Sequence, residues 1–168
     1  MTVTTIVAHG GALDGWLERR RALGQDQRDE VWEGVYHVTP HASAEHGRLA
    51  LRLLMGTSDQ AARAGLEPLV EFNLGHEGDY RIPDFGWVRR GADLGVYVPS
   101  ATIVGEVVSP GDATAEKVPF YLGRGVEEVW VVEPEARRVV VVRDGGEVGS
   151  SEVLGLSVAQ LTALLGWV

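Results

Sequence analysis

Residues 81–90 read RIPDFGWVRR and residues 101–117 read ATIVGEVVSPGDATAEK, and the rest of the chain is read outward from these two stretches. Asp84 follows Pro83 at the head of an apolar run, and Glu106 interrupts the apolar strand pattern ATIVGEVV. Burying a carboxylate there is costly unless it is paired or binds a metal. Lys117 follows the turn Ser109-Pro110-Gly111 and leads onto a helical segment. If the two strands are neighbours, both carboxylates reach one point, where oxygen ligands suit a hard divalent cation, often completed by a backbone carbonyl and water. A nearby ammonium could then orient a water. The alternative from spacing alone is plainer: Asp84 is a turn residue and Glu106 faces solvent on an edge strand.

The flanking pattern predicts the sheet that would hold these residues. Residues 31–38 (VWEGVYHV), 69–74, 81–89 and 101–108 read as strands, with GHEGDY as a turn and 91–99 as a loop. The Val-rich runs 127–134 and 137–148 read as an antiparallel pair joined by Pro134-Glu135-Ala136, with a second hairpin turn at Asp144-Gly145-Gly146. Helices are expected at 12–24, at 43–55 with Ser43 as N-cap, after Ser109-Pro110-Gly111, and at 157–165 with Ser157 as cap. The small, polar segment 56–68 reads as a loop with room for a short helical turn. Pro119 leaves two options: a helix starting near Val118, or a longer one from Ala113. In the longer helix, Lys117 and Tyr121 share a face. The order predicts an α/β mixed sheet flanked by helices.

Composition sets the outer bounds. The chain has 168 residues, no cysteine, 45% hydrophobic and 23% charged residues, and a formal charge of −9. One domain over 1–168 is expected. Thiolate metal sites and cysteine nucleophiles are excluded. The acidic balance counts against broad contact with phosphate backbones. Neither a signal peptide nor a membrane span is evident, so a cytoplasmic location is the default. The basic run Arg19-Arg20-Arg21 reads as a solvated helix face. His37 and His41 are separated by Thr39-Pro40 and do not form a zinc pattern, and a lone helical His46 reads as a packing or surface residue. Glu33 is a third candidate acid, beside Gly34. The Val-rich hairpin would expose apolar area if unpaired, which suggests a homodimer or higher homo-oligomer.

The stretches VWEGVYHVTP, SAEHGRLALRLL, RIPDFGWVRR and IVGEVVSPGDATAEKVPFYLGRGVEEVWVVEPEARRVVVVR cover most of residues 29–143. In order and spacing they resemble the Uma-two family of restriction-endonuclease-like proteins, within the PD-(D/E)XK nuclease superfamily. The resemblance implies a restriction-endonuclease-like mixed β-sheet flanked by helices. It implies that Asp84 and Glu106 are the motif acids and, with the Val107 carbonyl, bind Mg²⁺ or Mn²⁺. Val108 stands where the superfamily usually has its lysine, and Lys117 on the following helix takes that role. Glu33 matches an acidic position that assists metal binding, and His46 matches a recurring position. The implied activity is metal-dependent endonucleolytic cleavage of DNA. Two further readings are a catalytically inactive module for oligomerisation or protein interaction, and a phosphodiesterase acting on RNA or a small substrate.

Overall fold

The computed structural model describes residues 14–39, 41–111 and 113–167. Helix α1 spans Asp14–Ala22, and the first two residues of the helix expected at 12–24 lie outside the described residues. It buries Leu17 and leaves Leu23 exposed. Arg20 is not part of a solvated face: it forms an ion pair with the buried Asp29 at 2.8 Å and ties α1 to the chain ahead of the first strand.

The stretch expected as one strand at 31–38 is a hairpin, β1 (Glu30–Trp32) and β2 (Val35–His37), with Trp32 opposite Val35. Glu33 and Gly34 both have positive φ, 49° and 83°, as a two-residue hairpin turn of this hand requires. Helix α2 runs Ala44–Arg63, well beyond the expected end at 55. Ser43 caps it by accepting from the His46 N–H at 3.2 Å, a contact worth about 1 kcal/mol. The small residues after Met55 extend the helix because they allow another helix to pack closely. A Cβ on Gly56 would meet the Leu164 side chain at 2.8 Å, Ala61 is fully buried, and the Thr57 hydroxyl donates to the Leu53 carbonyl at 2.7 Å.

The next four strands are two hairpin arms that bend from one sheet into another. β3 (Leu66–Val70) pairs antiparallel with β6 (Phe85–Arg89), and β4 (Asn73–His76) with β5 (Asp79–Arg81). The runs expected as continuous strands at 69–74 and 81–89 both break at the bend. On one arm Glu71 adopts φ 47°. On the other, Ile82-Pro83-Asp84 crosses between sheets, and Pro83 has no N–H to extend a ladder. Asp84 therefore sits at a sheet corner. Within the expected loop 91–99 lies a short β7 (Tyr97–Val98), parallel to β4.

β8 (Ile103–Val107) pairs antiparallel with β6 and parallel with β9 (Glu128–Glu133), and helix α3 (Thr114–Gly123) makes the crossover that a parallel pair needs. β10 (Arg138–Arg143) and β11 (Gly146–Val148) complete a six-stranded mixed sheet of order β11-β10-β9-β8-β6-β3. A second sheet has order β2-β1-β5-β4-β7, and a small pair joins β12 (Ser150–Ser151) to β13 (Leu156–Ser157). Helix α4 (Val158–Leu164) begins with a complete capping box between Ser157 and Gln160. The architecture is the α/β mixed sheet flanked by helices that the sequence predicts.

Alternation along the strands divides the core. Ile103, Val107, Phe85, Trp130 and Val141 face α2 and α4, while Val104, Val129, Val88 and Tyr121 form a second cluster with Leu74 and Val98 of the other sheet. Each such side chain fully buried contributes about 1.5–3 kcal/mol. Val139, Val140 and Val141 are themselves buried, and β10 is paired on both edges. Among the described residues no helix is long and apolar enough to cross a membrane.

Candidate functional site

β6 and β8 are neighbours, with Phe85 opposite Gly105, and this register puts Asp84 beside Glu106. Gly105 is required there: a Cβ would lie 2.0 Å from the Phe85 ring. Glu106 shares its strand face with Val104, on the side covered by α3. Asp84 and Glu106 are 8% and 4% exposed, and both line a cavity of about 420 Å³. Glu106 does not face solvent on an edge strand, because β8 lies between β6 and β9.

Lys117 reaches the same cavity from α3, which starts at Thr114 with Pro119 inside it, the longer of the two expected helices. Its Nζ donates to Glu30 Oε1 at 2.8 Å and lies 3.5 Å from Glu106 Oε1. One turn later the Tyr121 hydroxyl donates to the same Glu106 oxygen. The i,i+4 pair thus grips one carboxylate from one helix face. Asp84 is held from other elements. The Val107 N–H donates to its Oδ2 at 2.7 Å, Arg28 Nη2 lies 3.3 Å from its Oδ1, and Arg28 also pairs with Glu71. His46 Nε2 lies 2.7 Å from Asp84 Oδ2, close but not aligned as a hydrogen bond, while its Nδ1 lies 3.2 Å from Ser109 Oγ.

Glu33 does not join this group. It is exposed in the β1–β2 turn, and its backbone N–H donates to Asp79 at 3.0 Å. The acid contributed by β1 is Glu30, which is 2% exposed. Glu30 accepts from Lys117, from the Ile82 N–H at 2.8 Å and from the Trp32 indole at 2.7 Å. Period-two alternation with Trp32 is the sequence signal that could have selected it. His46 and Arg28 likewise belong to the cavity wall, and neither apolar periodicity nor spacing distinguishes them from surface residues.

The electrostatics follow from burial. On balance the Glu106 carboxyl is raised to about 8, with burial the largest cause. Lys117 pulls it down, the neighbouring Asp84 and Glu30 push it further up, and the Tyr121 hydrogen bond pulls it down. Burial pushes the Lys117 ammonium down, but Glu106, Glu30 and Asp84 together outweigh that and hold it above the usual lysine value. Burial and the adjacent Glu106 raise the Tyr121 phenol well above its ordinary range, so it remains a hydrogen-bond donor. Glu30, Asp84 and Glu106 share this cavity with Lys117, Arg28 and His46. Among the described residues no group of three or more histidine and acidic side chains is placed to hold a metal. Asp84 and Glu106 present their carboxyl groups to the same cavity.

A crystal structure of a "putative nuclease belonging to DUF820" from Anabaena variabilis ATCC 29413 shares the fold, with a TM-score of 0.68 at 15% identity over 82% of this chain and 90% of that one. The structure of a DrdV–DNA complex aligns more weakly, with a TM-score of 0.42 and 20% identity, over 71% of this chain and 11% of that one. No curated protein matches the sequence. The family Uma2, described as "Putative restriction endonuclease", matches residues 16–168, nearly the whole chain, and the protein belongs to that family.

Proposed function

We propose that the protein is a divalent-metal-dependent endonuclease that hydrolyses phosphodiester bonds of DNA. The observation that carries this reading is the convergence of Asp84 and Glu106, from adjacent strands, with Lys117 from α3 on one buried cavity. Asp84, Glu106 and the Val107 carbonyl are the groups that would hold Mg²⁺ or Mn²⁺. When bound, such an ion makes a water more acidic and offsets charge on the phosphate. Glu106 fits this role because its burial disfavours the ionised form until a cation balances it.

The remaining work falls to the chain's own groups. Lys117 orients the attacking water and offsets negative charge developing on the phosphate oxygens. Glu30 fixes that ammonium at 2.8 Å, and Tyr121 fixes the Glu106 carboxyl. Val107 N–H and Arg28 keep the Asp84 carboxyl turned into the cavity. Arginine pairs with Asp84 here, whereas Glu106 is held by Lys117 and Tyr121.

The test is a cleavage assay on plasmid and single-stranded DNA with Mg²⁺, Mn²⁺ or chelator. Asp84→Ala and Glu106→Ala should abolish metal-dependent cutting, and Lys117→Met should lower its rate by about 10²–10³. Circular dichroism should show all three variants folded. Cutting by purified Asp84→Ala at the wild-type rate overturns the assignment.

A further inference from the structure

We infer that the cavity receives one unpaired nucleotide of a single-stranded nucleic acid, with its base stacked on an aromatic ladder that ends at His37. This inference rests on the hydrolytic reading above and names the form of its substrate. The ladder is built from four elements, β1, β2, β5 and α3. His37 on β2 stacks on Trp32 of β1, with ring centroids 4.2 Å apart and planes 16° from parallel. The Arg81 guanidinium lies 4.3 Å from the Trp32 ring and 4.0 Å from the ring of Phe120 on α3. With His37 and Arg81 on its two faces, Trp32 has none left for a ligand. His37 is the terminal ring, and it lines the cavity.

Two features connect this ladder to the acids. Glu30 accepts from the Trp32 indole at 2.7 Å and from Lys117 at 2.8 Å, so one carboxylate fixes both the stacking platform and the ammonium. A base on His37 therefore brings its own phosphate towards Lys117. The imidazole suits the task. Burial lowers its pKa, the positive charges of Arg81 and Lys117 add to that, and Glu30 and Glu116 oppose them, leaving a neutral flat ring near pH 7.

The size of the cavity suits a single nucleotide. A volume of about 420 Å³ fits a ligand of nucleotide size, within the roughly 300–1,000 Å³ of small-molecule pockets. Glu106 is 4% exposed at the bottom. A base can stack on His37 only when it has left its own duplex stack, as for enzymes that act on single strands or on extruded bases. The formal charge of −9 points the same way. It disfavours the extended phosphate contacts that duplex binding uses, whereas base–aromatic stacking needs no positive surface.

The experiment measures binding by fluorescence anisotropy of fluorescein-labelled oligothymidylate, in Ca²⁺ and in EDTA. Unlabelled oligouridylate and a duplex of equal length serve as competitors. The wild type should prefer either single strand over the duplex by at least about tenfold. His37→Ala should weaken single-strand binding roughly five- to a hundred-fold, and His37→Phe should restore it. The tighter of the two single strands identifies DNA or RNA. Equal competition by duplex, wild-type affinity in His37→Ala, or failure of His37→Phe to restore binding overturns the inference. Cleavage in Mg²⁺ or Mn²⁺ is read separately. Stacking without cleavage rejects the hydrolytic reading alone, and duplex cleavage insensitive to His37 rejects the stacking alone.

Discussion

His46 Nε2 on α2 lies 2.7 Å from Asp84 Oδ2 at the corner where the chain passes from one sheet to the other. The other ring nitrogen lies 3.2 Å from Ser109 Oγ, in the turn after β8. One imidazole thus bridges the two segments that carry the candidate acids. Ser43 fixes its position by capping the helix three residues earlier. His46→Ala should therefore release Asp84 without removing a proposed metal ligand. The expected result is a 10–100-fold loss of divalent-cation affinity or of activity, the usual effect of removing a group that orients a ligand. Calorimetric titration with Mn²⁺, beside a thermal melt close to that of wild type, checks it.

The same corner explains what the sequence revealed and what it hid. The apolar strand 101–108 and its intruding acid were legible because burying Glu106 requires a partner, whatever the topology. The Val-rich strands, the caps at Ser43 and Ser157 and the crossover helix were legible from local pattern. The loop expected at 56–68 was not: Gly56 and Ala61 are small because α4 packs against α2 there, a tertiary fact that mimics loop composition. Arg28 and His46 were hidden for a related reason. Their partners, Asp84 and Glu71, are 38 to 56 positions away, so local sequence carries no trace of the pairing.

Gly105 is where fold and site share a constraint. Its missing Cβ makes room for the Phe85 ring, and the residues next to this pair are Asp84 and Glu106. Gly105→Ala should overpack the β6–β8 pair and cost about 1–3 kcal/mol of stability. Phe85→Leu in the same background should recover part of that loss, because the two positions are in contact. Urea unfolding of the two single variants and the double variant measures the coupling. Additive losses would show that the ring and the new methyl do not meet.

His37 gives the protein a calculable pH response. Burial is the largest cause of its lowered pKa, with Arg81 and Lys117 acting in the same direction and Glu30 and Glu116 opposing. The unfolded chain takes up a proton near the ordinary histidine value of about 6.5, while the folded chain resists protonation until a lower pH. Below that ordinary value the unfolded state binds more protons, so this group's contribution is full above it and shrinks as pH falls through the folded pKa. Thermal melts from pH 7.5 down to pH 5 should show a decline that is smaller in His37→Phe. The imidazole resonances of wild type should titrate below the ordinary midpoint. A midpoint at or above that value would remove the neutral ring from the argument.

Glu30 and Glu33 make the sharpest contrast, because they are three residues apart and chemically alike. Glu33 occupies a left-handed turn position and is exposed, and its backbone N–H donates to Asp79. Its carboxylate has no role in the cavity, so Glu33→Gln should leave cation affinity, cleavage and melting temperature within error of wild type. Glu30 is buried and joins Lys117, the Ile82 N–H and the Trp32 indole. Glu30→Gln keeps the size of the side chain but removes its charge, leaving the buried ammonium without its nearest carboxylate. Breaking a buried pair from one side typically costs about 3–5 kcal/mol, and the retained amide oxygen should place this variant at or below the lower end. Cleavage should fall as well, because Lys117 loses the charged partner that fixes it. Paired urea unfolding and single-turnover assays on the two variants separate the positions, and equal behaviour of Glu30→Gln and Glu33→Gln would refute the role assigned to Glu30.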